Sequence, residues 1–159
     1  MRRLTQILSF AFAALLLGAC GGSSGSTAGT PAPTPTVAPV VKTASAMVDG
    51  KSMTILTDAS GMTLYYYTPD KGAGKVTCLA ACLTAWPPLM LPSGVTKPAG
   101  DKGVTGTLGT IASPNGGMQV TYNSWPMYTW TKDKAPGDTT GQNVGGKWFV
   151  VPPDVASGT

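Results

Sequence analysis

Three kinds of side chain in this sequence could do chemistry: the cysteines Cys20, Cys78 and Cys82, the aspartates Asp70 and Asp133, and the tyrosines and tryptophans spaced around those aspartates. Two carboxylates could serve glycoside hydrolysis if they stood roughly 5–10 Å apart with an apolar surrounding for the acid. The simpler role for each is to accept hydrogen bonds from amides of the Gly- or Pro-containing loop that follows it. Cys78 and Cys82 could close a disulfide or exchange electrons with other thiols, or they could hold Cu(I) together with soft thioethers such as Met62, Met90 and Met127. What the chain lacks narrows these options. It has no histidine and no glutamate, and its only arginines are Arg2 and Arg3. A Ser-His-Asp triad, an imidazole general base, the usual histidine-containing zinc sets and a Cys-x-x-Cys-His haem attachment are therefore excluded.

The N-terminus says where the protein works. Arg2-Arg3, an apolar run over residues 7–17 and small residues after it read as a secretory signal, too short to span a bilayer permanently. Leu17-Gly18-Ala19-Cys20 resembles the lipobox of bacterial lipoproteins. The resemblance implies that residues 1–19 are removed, that the Cys20 thiol is lipidated by acyl chains such as palmitate, and that the membrane of the cell envelope is a partner through this anchor. With Gly21, not Asp, after the cysteine, it also implies the outer membrane, facing the periplasm or the cell surface, in a host with two membranes. Without the signal, nine lysines stand against seven aspartates, scattered along the chain, and nothing in that charge points to nucleic acid.

Residues 20–46, the lipid-bearing cysteine and a Gly/Ser/Thr/Ala/Pro stretch with Pro31, Pro33, Pro35 and Pro39, read as a disordered tether. Its reach is on the order of 30 Å. Residues 47–153 then form one small domain, and 154–159 a flexible C-terminal tail. If Cys20 is lipidated, Cys78 and Cys82 are the remaining thiols, and an oxidising envelope favours a structural bridge contributing about 2 kcal/mol. A redox pair is more usually Cys-x-x-Cys, and Leu79-Ala80-Ala81 offers no charge to stabilise a thiolate. A redox or Cu(I)-handling role for Cys78 and Cys82 stays as the alternative.

The segments that must position these residues repeat. Leu64-Tyr65-Tyr66-Tyr67-Thr68-Pro69-Asp70 aligns with Met127-Tyr128-Thr129-Trp130-Thr131-Lys132-Asp133, giving Tyr-x-aromatic-x-x-Asp twice, with Trp86 following the first copy and Trp148 the second. Each motif ends a strand-turn-strand unit: 53–57, a turn at Ala59-Ser60-Gly61 and 62–68 in the first; 118–122, a turn at Asn123-Ser124 and 126–131 in the second. Residues 107–112 and 118–122 flank a Ser113-Pro114-Asn115-Gly116-Gly117 loop as a hairpin, and 147–151 is the last strand before Pro152-Pro153. A short helix is expected over 79–85, stopped by Pro87-Pro88. The expected class is all-β: one small domain of two strand-turn-strand repeats, with one short helix near the Cys pair, preceded by the tether.

These motifs, with Leu56-Thr57-Asp58, Cys78-x-x-x-Cys82-x-x-x-Trp86-Pro87-Pro88, Val120-Thr121-Tyr122-Asn123 and Lys134-Ala135-Pro136-Gly137-Asp138 running on to Gly145-Gly146-Lys147-Trp148, make the chain similar over residues 50–152 to a bacterial lipoprotein family. That family carries a repeated Tyr-x-(Phe/Trp/Tyr)-x-x-Asp motif and is described as a secreted repeat of unknown function. Trp125 stands where the pattern leads one to expect a glycine-containing turn. The resemblance implies a cell-envelope domain without an assigned activity. Tyr65, Tyr67, Asp70, Trp86, Tyr128, Trp130, Asp133 and Trp148 are its motif residues. Period-2 alternation puts Tyr65 with Tyr67, and Tyr128 with Trp130, on equivalent strand faces. Such aromatics form either a core shared by the two copies or, with Trp86, Trp125 and Trp148 nearby, an exposed platform for a glycan or a flat ligand. No catalytic residue, metal or cofactor is expected. The reading is a non-enzymatic structural or ligand-binding module whose partner is an envelope protein or a glycan.

Overall fold

An Asp-Gly pair starts the fold. The computed structural model describes residues 38–159; the expected signal, Cys20 and most of the expected tether lie outside the described residues. Strand β1 (Val41–Val48) pairs antiparallel with β2 (Lys51–Asp58) across Asp49-Gly50, whose φ angles of 51° and 76° are those a tight two-residue hairpin turn requires. Residues 41–46 therefore belong to the domain and not to the tether. Thr, Ala and Ser dilute the alternation of β1, yet Val41, Ala46 and Val48 are buried.

Strand β3 (Tyr65–Tyr67) pairs with β7 (Trp148–Val150), while β4 (Leu108–Ala112), β5 (Met118–Tyr122) and β6 (Trp125–Pro126) form a three-stranded sheet. The expected hairpin over 107–122 is present, with Ser113 and Gly117 closing its loop. Helix α1 (Ala81–Ala85) is shorter than the expected 79–85 because Ala80, at φ 49°, leaves helical space. The strands expected over 62–68 and 126–131 are also shorter. Pro69 starts a 3-10 turn at Thr68–Asp70 in the first copy, and in the second Tyr128 touches its neighbours only as isolated bridges.

Short strands leave backbone groups that must be paired elsewhere. Leu56 N donates to Val151 O (2.8 Å), Val151 N to Leu64 O (3.0 Å) and Leu64 N to Leu56 O (3.0 Å), a closed ring of three bonds. The second copy builds the same ring: Val120 N to Leu89 O (2.8 Å), Leu89 N to Met127 O (2.9 Å), Met127 N to Val120 O (3.0 Å). In each ring the third segment comes from the other copy. The repeats are thus interlocked, not stacked as halves. Successive residues at these crossings point to opposite faces. Ile55, Tyr65, Tyr128 and Val150 enter one apolar cluster, and Leu56, Leu64, Met127 and Val151 enter a second.

Residues 154–159, expected as a flexible tail, are fastened along the β5–β6 turn. Asn123 Nδ2 donates to Val155 O (2.8 Å), Trp125 Nε1 to Ala156 O (2.9 Å) and Gly158 N to Asn123 O (2.9 Å). The tail contributes mostly backbone groups to these bonds, which leave no trace in its composition. The turn itself holds Asn123 and Ser124 at φ 47° and 70°, so its tightness is kept without glycine. Left-handed backbone costs a non-glycine residue about 1–2 kcal/mol, and glycine's greater unfolded-state freedom returns part of that. Ser124→Gly is expected to raise stability by about 0.5–1 kcal/mol, read from the midpoint of denaturant unfolding.

Candidate functional site

Tyr65 and Tyr128 lie opposite one another. Tyr65 N donates to Tyr128 O (2.8 Å) and Tyr128 N to Tyr65 O (3.0 Å), an antiparallel bridge on which both side chains share a face. Each phenol then passes into the other copy. Tyr65 donates to Asp133 Oδ2 at 2.7 Å, and Tyr128 donates to Asp70 Oδ2 at 2.6 Å.

The aspartates are placed by the turns that end the motif. Asp70 closes the 3-10 turn, and Asp133 N donates to Trp130 O at 3.1 Å in the matching turn. Asp70 Oδ1 accepts from Thr77 N (2.7 Å) and Thr77 Oγ1 (2.5 Å); Asp133 Oδ1 accepts from Thr140 N (3.0 Å) and Thr140 Oγ1 (2.6 Å). The expectation that loop amides bind these carboxylates covers the threonine half of this arrangement. Nothing in the strand alternation marks the crossed phenols, although the Asp-x6-Thr spacing, Asp70 to Thr77 and Asp133 to Thr140, recurs in both copies. With three donors each and only 4% and 6% exposed, Asp70 and Asp133 are committed to internal hydrogen bonds. The phenols are held neutral: burial foremost, then the hydrogen bond and negative charge of the facing aspartate, push both well above the usual tyrosine range.

The remaining motif aromatics build a stack beside these pairs. Trp148 lies on Trp86 with ring centroids 3.8 Å apart and planes 4° from parallel. Tyr67 covers the outer face of Trp148 at 4.3 Å, and Trp130 that of Trp86 at 3.9 Å. Tyr65 meets Trp86 edge-on at 5.4 Å and Tyr128 meets Trp148 edge-on at 5.1 Å, the preferred geometry for such rings. Trp86 and Trp148 are buried, and Tyr67 and Trp130 are half-buried. Both faces of Trp86 and Trp148 are spent within the stack, Tyr67 and Trp130 each turn one face into it, and Trp125 packs against Tyr66 in the other cluster. At Gly141 a Cβ would come within 2.8 Å of the Tyr65 ring, so a side chain there would clash with the packed core.

Cys78 and Cys82 are bridged, with Cα atoms 5.4 Å apart, and Trp86 N donates to Cys82 O at 2.8 Å. The bridge therefore fixes the turn from which Trp86 enters the stack. In the second copy the Gln142 side chain accepts from Val150 N (3.0 Å), just after Trp148, and donates to Asp49 Oδ2 (2.9 Å). The cystine lies in the first cluster and Met127 in the second, so the structure does not bring these sulfurs together. Among the described residues no group of three or more His, Cys, Asp or Glu side chains could hold a metal ion. A shallow depression of about 250 Å³, lined by Asp70, Lys75, Ile111 and Pro126 among others, opens beside the first loop.

The profile of a family described as a secreted repeat of unknown function matches residues 46–90 and again 109–152. No curated protein and no solved structure matches the chain. The two matched segments coincide with the two interlocked copies.

The raised phenols of Tyr65 and Tyr128 are expected to weaken the fold at alkaline pH. A group with a raised folded-state pKa contributes stability that is complete below its unfolded value, about 10 for tyrosine, and is lost as the pH climbs above it. Stability should fall above about pH 10 with a slope of up to about 1.4 kcal/mol per pH unit from each of Tyr65 and Tyr128. Tyr65→Phe and Tyr128→Phe are each expected to cost about 2 kcal/mol at neutral pH, by leaving a buried carboxylate oxygen without its donor, and to flatten the alkaline slope. Denaturant unfolding across that pH range checks both.

Proposed function

The chain belongs to the family of secreted repeats of unknown function, and from that premise we propose that it is a lipid-anchored, non-enzymatic module of the cell envelope, structural or ligand-binding in role. The crossed Tyr–Asp pairs carry this reading. The acids that could have served hydrolysis are each held by three internal donors. The aromatics that could have formed a sugar platform are stacked on one another. What such a domain offers is a packed body whose loops are suited to contact with an envelope protein or a glycan. Support for a thiol-exchange or Cu(I) role of Cys78 and Cys82 stops at the cystine itself.

Anchoring rests on Leu17-Gly18-Ala19-Cys20. A cysteine carrying several acyl chains binds a bilayer far more firmly than one with a single chain. Cys20→Ser should move the protein from the membrane fraction to the soluble fraction, with the native chain remaining on membranes and taking up labelled palmitate. A Cys20→Ser protein that still sediments with membranes would contradict the anchor.

A further inference from the structure

We propose that the aromatic stack and the crossed Tyr–Asp pairs form a relay that draws a one-electron oxidising equivalent inward from Trp130 and holds it on Tyr128 or Tyr65 as a neutral tyrosyl radical. The path is continuous ring contact. Trp130, half-buried, lies 3.9 Å from Trp86, Trp86 lies 3.8 Å from Trp148, and these two meet Tyr65 and Tyr128 edge-on at 5.4 and 5.1 Å. Each end of the path has an electrostatic bias. The Lys132 ammonium lies 5.4 Å from the Trp130 ring centroid, where it disfavours a radical cation on that indole. Trp130 Nε1 is buried and has no hydrogen-bond partner among the described residues, so an oxidised Trp130 has no acceptor through which to lose its proton. The inner phenols stand in the opposite condition: each donates to a buried carboxylate at 2.7 or 2.6 Å, within the distance at which a proton can cross as the electron leaves.

The step balances with an organic peroxyl radical as the oxidant. The peroxyl radical gains one electron from the stack and one proton from solvent and becomes a hydroperoxide. Tyr128 loses one electron through Trp148, Trp86 and Trp130. Its O–H bond breaks, and the proton passes to Asp70 Oδ2, leaving a neutral phenoxyl radical beside a neutral carboxylic acid. No net charge is created inside the apolar cluster, which avoids the large cost of an isolated buried ion. The corresponding step at Tyr65 delivers its proton to Asp133. The Cys78–Cys82 bridge takes no part.

The test uses the full chain oxidised by photogenerated tris(bipyridine)ruthenium(III), followed by freeze-trapping and electron paramagnetic resonance. The expected spectrum is that of a tyrosyl radical. Tyr65→Phe combined with Tyr128→Phe should remove that signal and leave a tryptophanyl one, although Tyr66, Tyr67 and Tyr122 are still present. Should that pair of substitutions unfold the chain, Trp130→Leu leaves both Tyr–Asp bonds intact and should cut the tyrosyl yield from the same dissolved oxidant. Circular dichroism confirms the fold of each variant. A tyrosyl signal undiminished in the folded Phe variant, an unchanged yield in Trp130→Leu, or a tryptophanyl signal alone in the native chain would overturn the relay.

Discussion

A carboxylate can be buried only if its oxygens find donors, and here each buried carboxylate finds its last donor in the opposite repeat. The first copy supplies Asp70 with Thr77, the second supplies Asp133 with Thr140, and neither supplies its own phenol. A single copy would hold an under-satisfied acid and an unpaired tyrosine. The backbone repeats the same dependence, because each three-bond ring at Leu56 and Val120 is closed by a segment of the other copy. Hydrogen bonds to charged groups contribute roughly 1.5–3 kcal/mol each, so two crossed pairs are a large share of the few kcal/mol by which a domain of this size is stable.

Around this constraint the two copies differ where their chemistry allows. The first carries a cystine and Pro87-Pro88 where the second carries Gln142 and Phe149-Val150. Prolines have no amide to satisfy, whereas Val150 N must find an acceptor and takes Gln142 Oε1. The covalent bridge thus fixes the chain before Trp86, and the glutamine satisfies the amide that follows Trp148. The stack is the apolar counterpart of the crossed pairs, since Tyr67 covers Trp148 and Trp130 covers Trp86, again across the repeats.

Much of this was legible in the residues. The duplicated Tyr-x-aromatic-x-x-Asp motif located the eight side chains that the structure gathers, and alternation assigned the all-β class and the β4–β5 hairpin. Asp49-Gly50 marks the β1–β2 turn, but Ala, Ser and Thr dilute the alternation of the strand before it. The fastening of residues 154–159 left no signal, because mostly backbone groups from that segment make the bonds. The crossing of the phenols was hidden for a different reason. Periodicity tells which face a tyrosine occupies but not which copy's carboxylate it reaches, and two equivalent motifs satisfy a direct and a crossed arrangement equally well until Tyr65 and Tyr128 are set opposite one another.

Interlocking makes one claim that either copy can betray. Native-state hydrogen exchange on the full chain, followed at the Tyr65 and Tyr128 amides that bond to each other and at Leu56 and Val120 in the two rings, measures the free energy at which each copy opens. The account predicts that all four exchange only through global unfolding, with the same free energy and the same denaturant dependence. A copy whose amides exchange by partial opening while the other stays protected would contradict it.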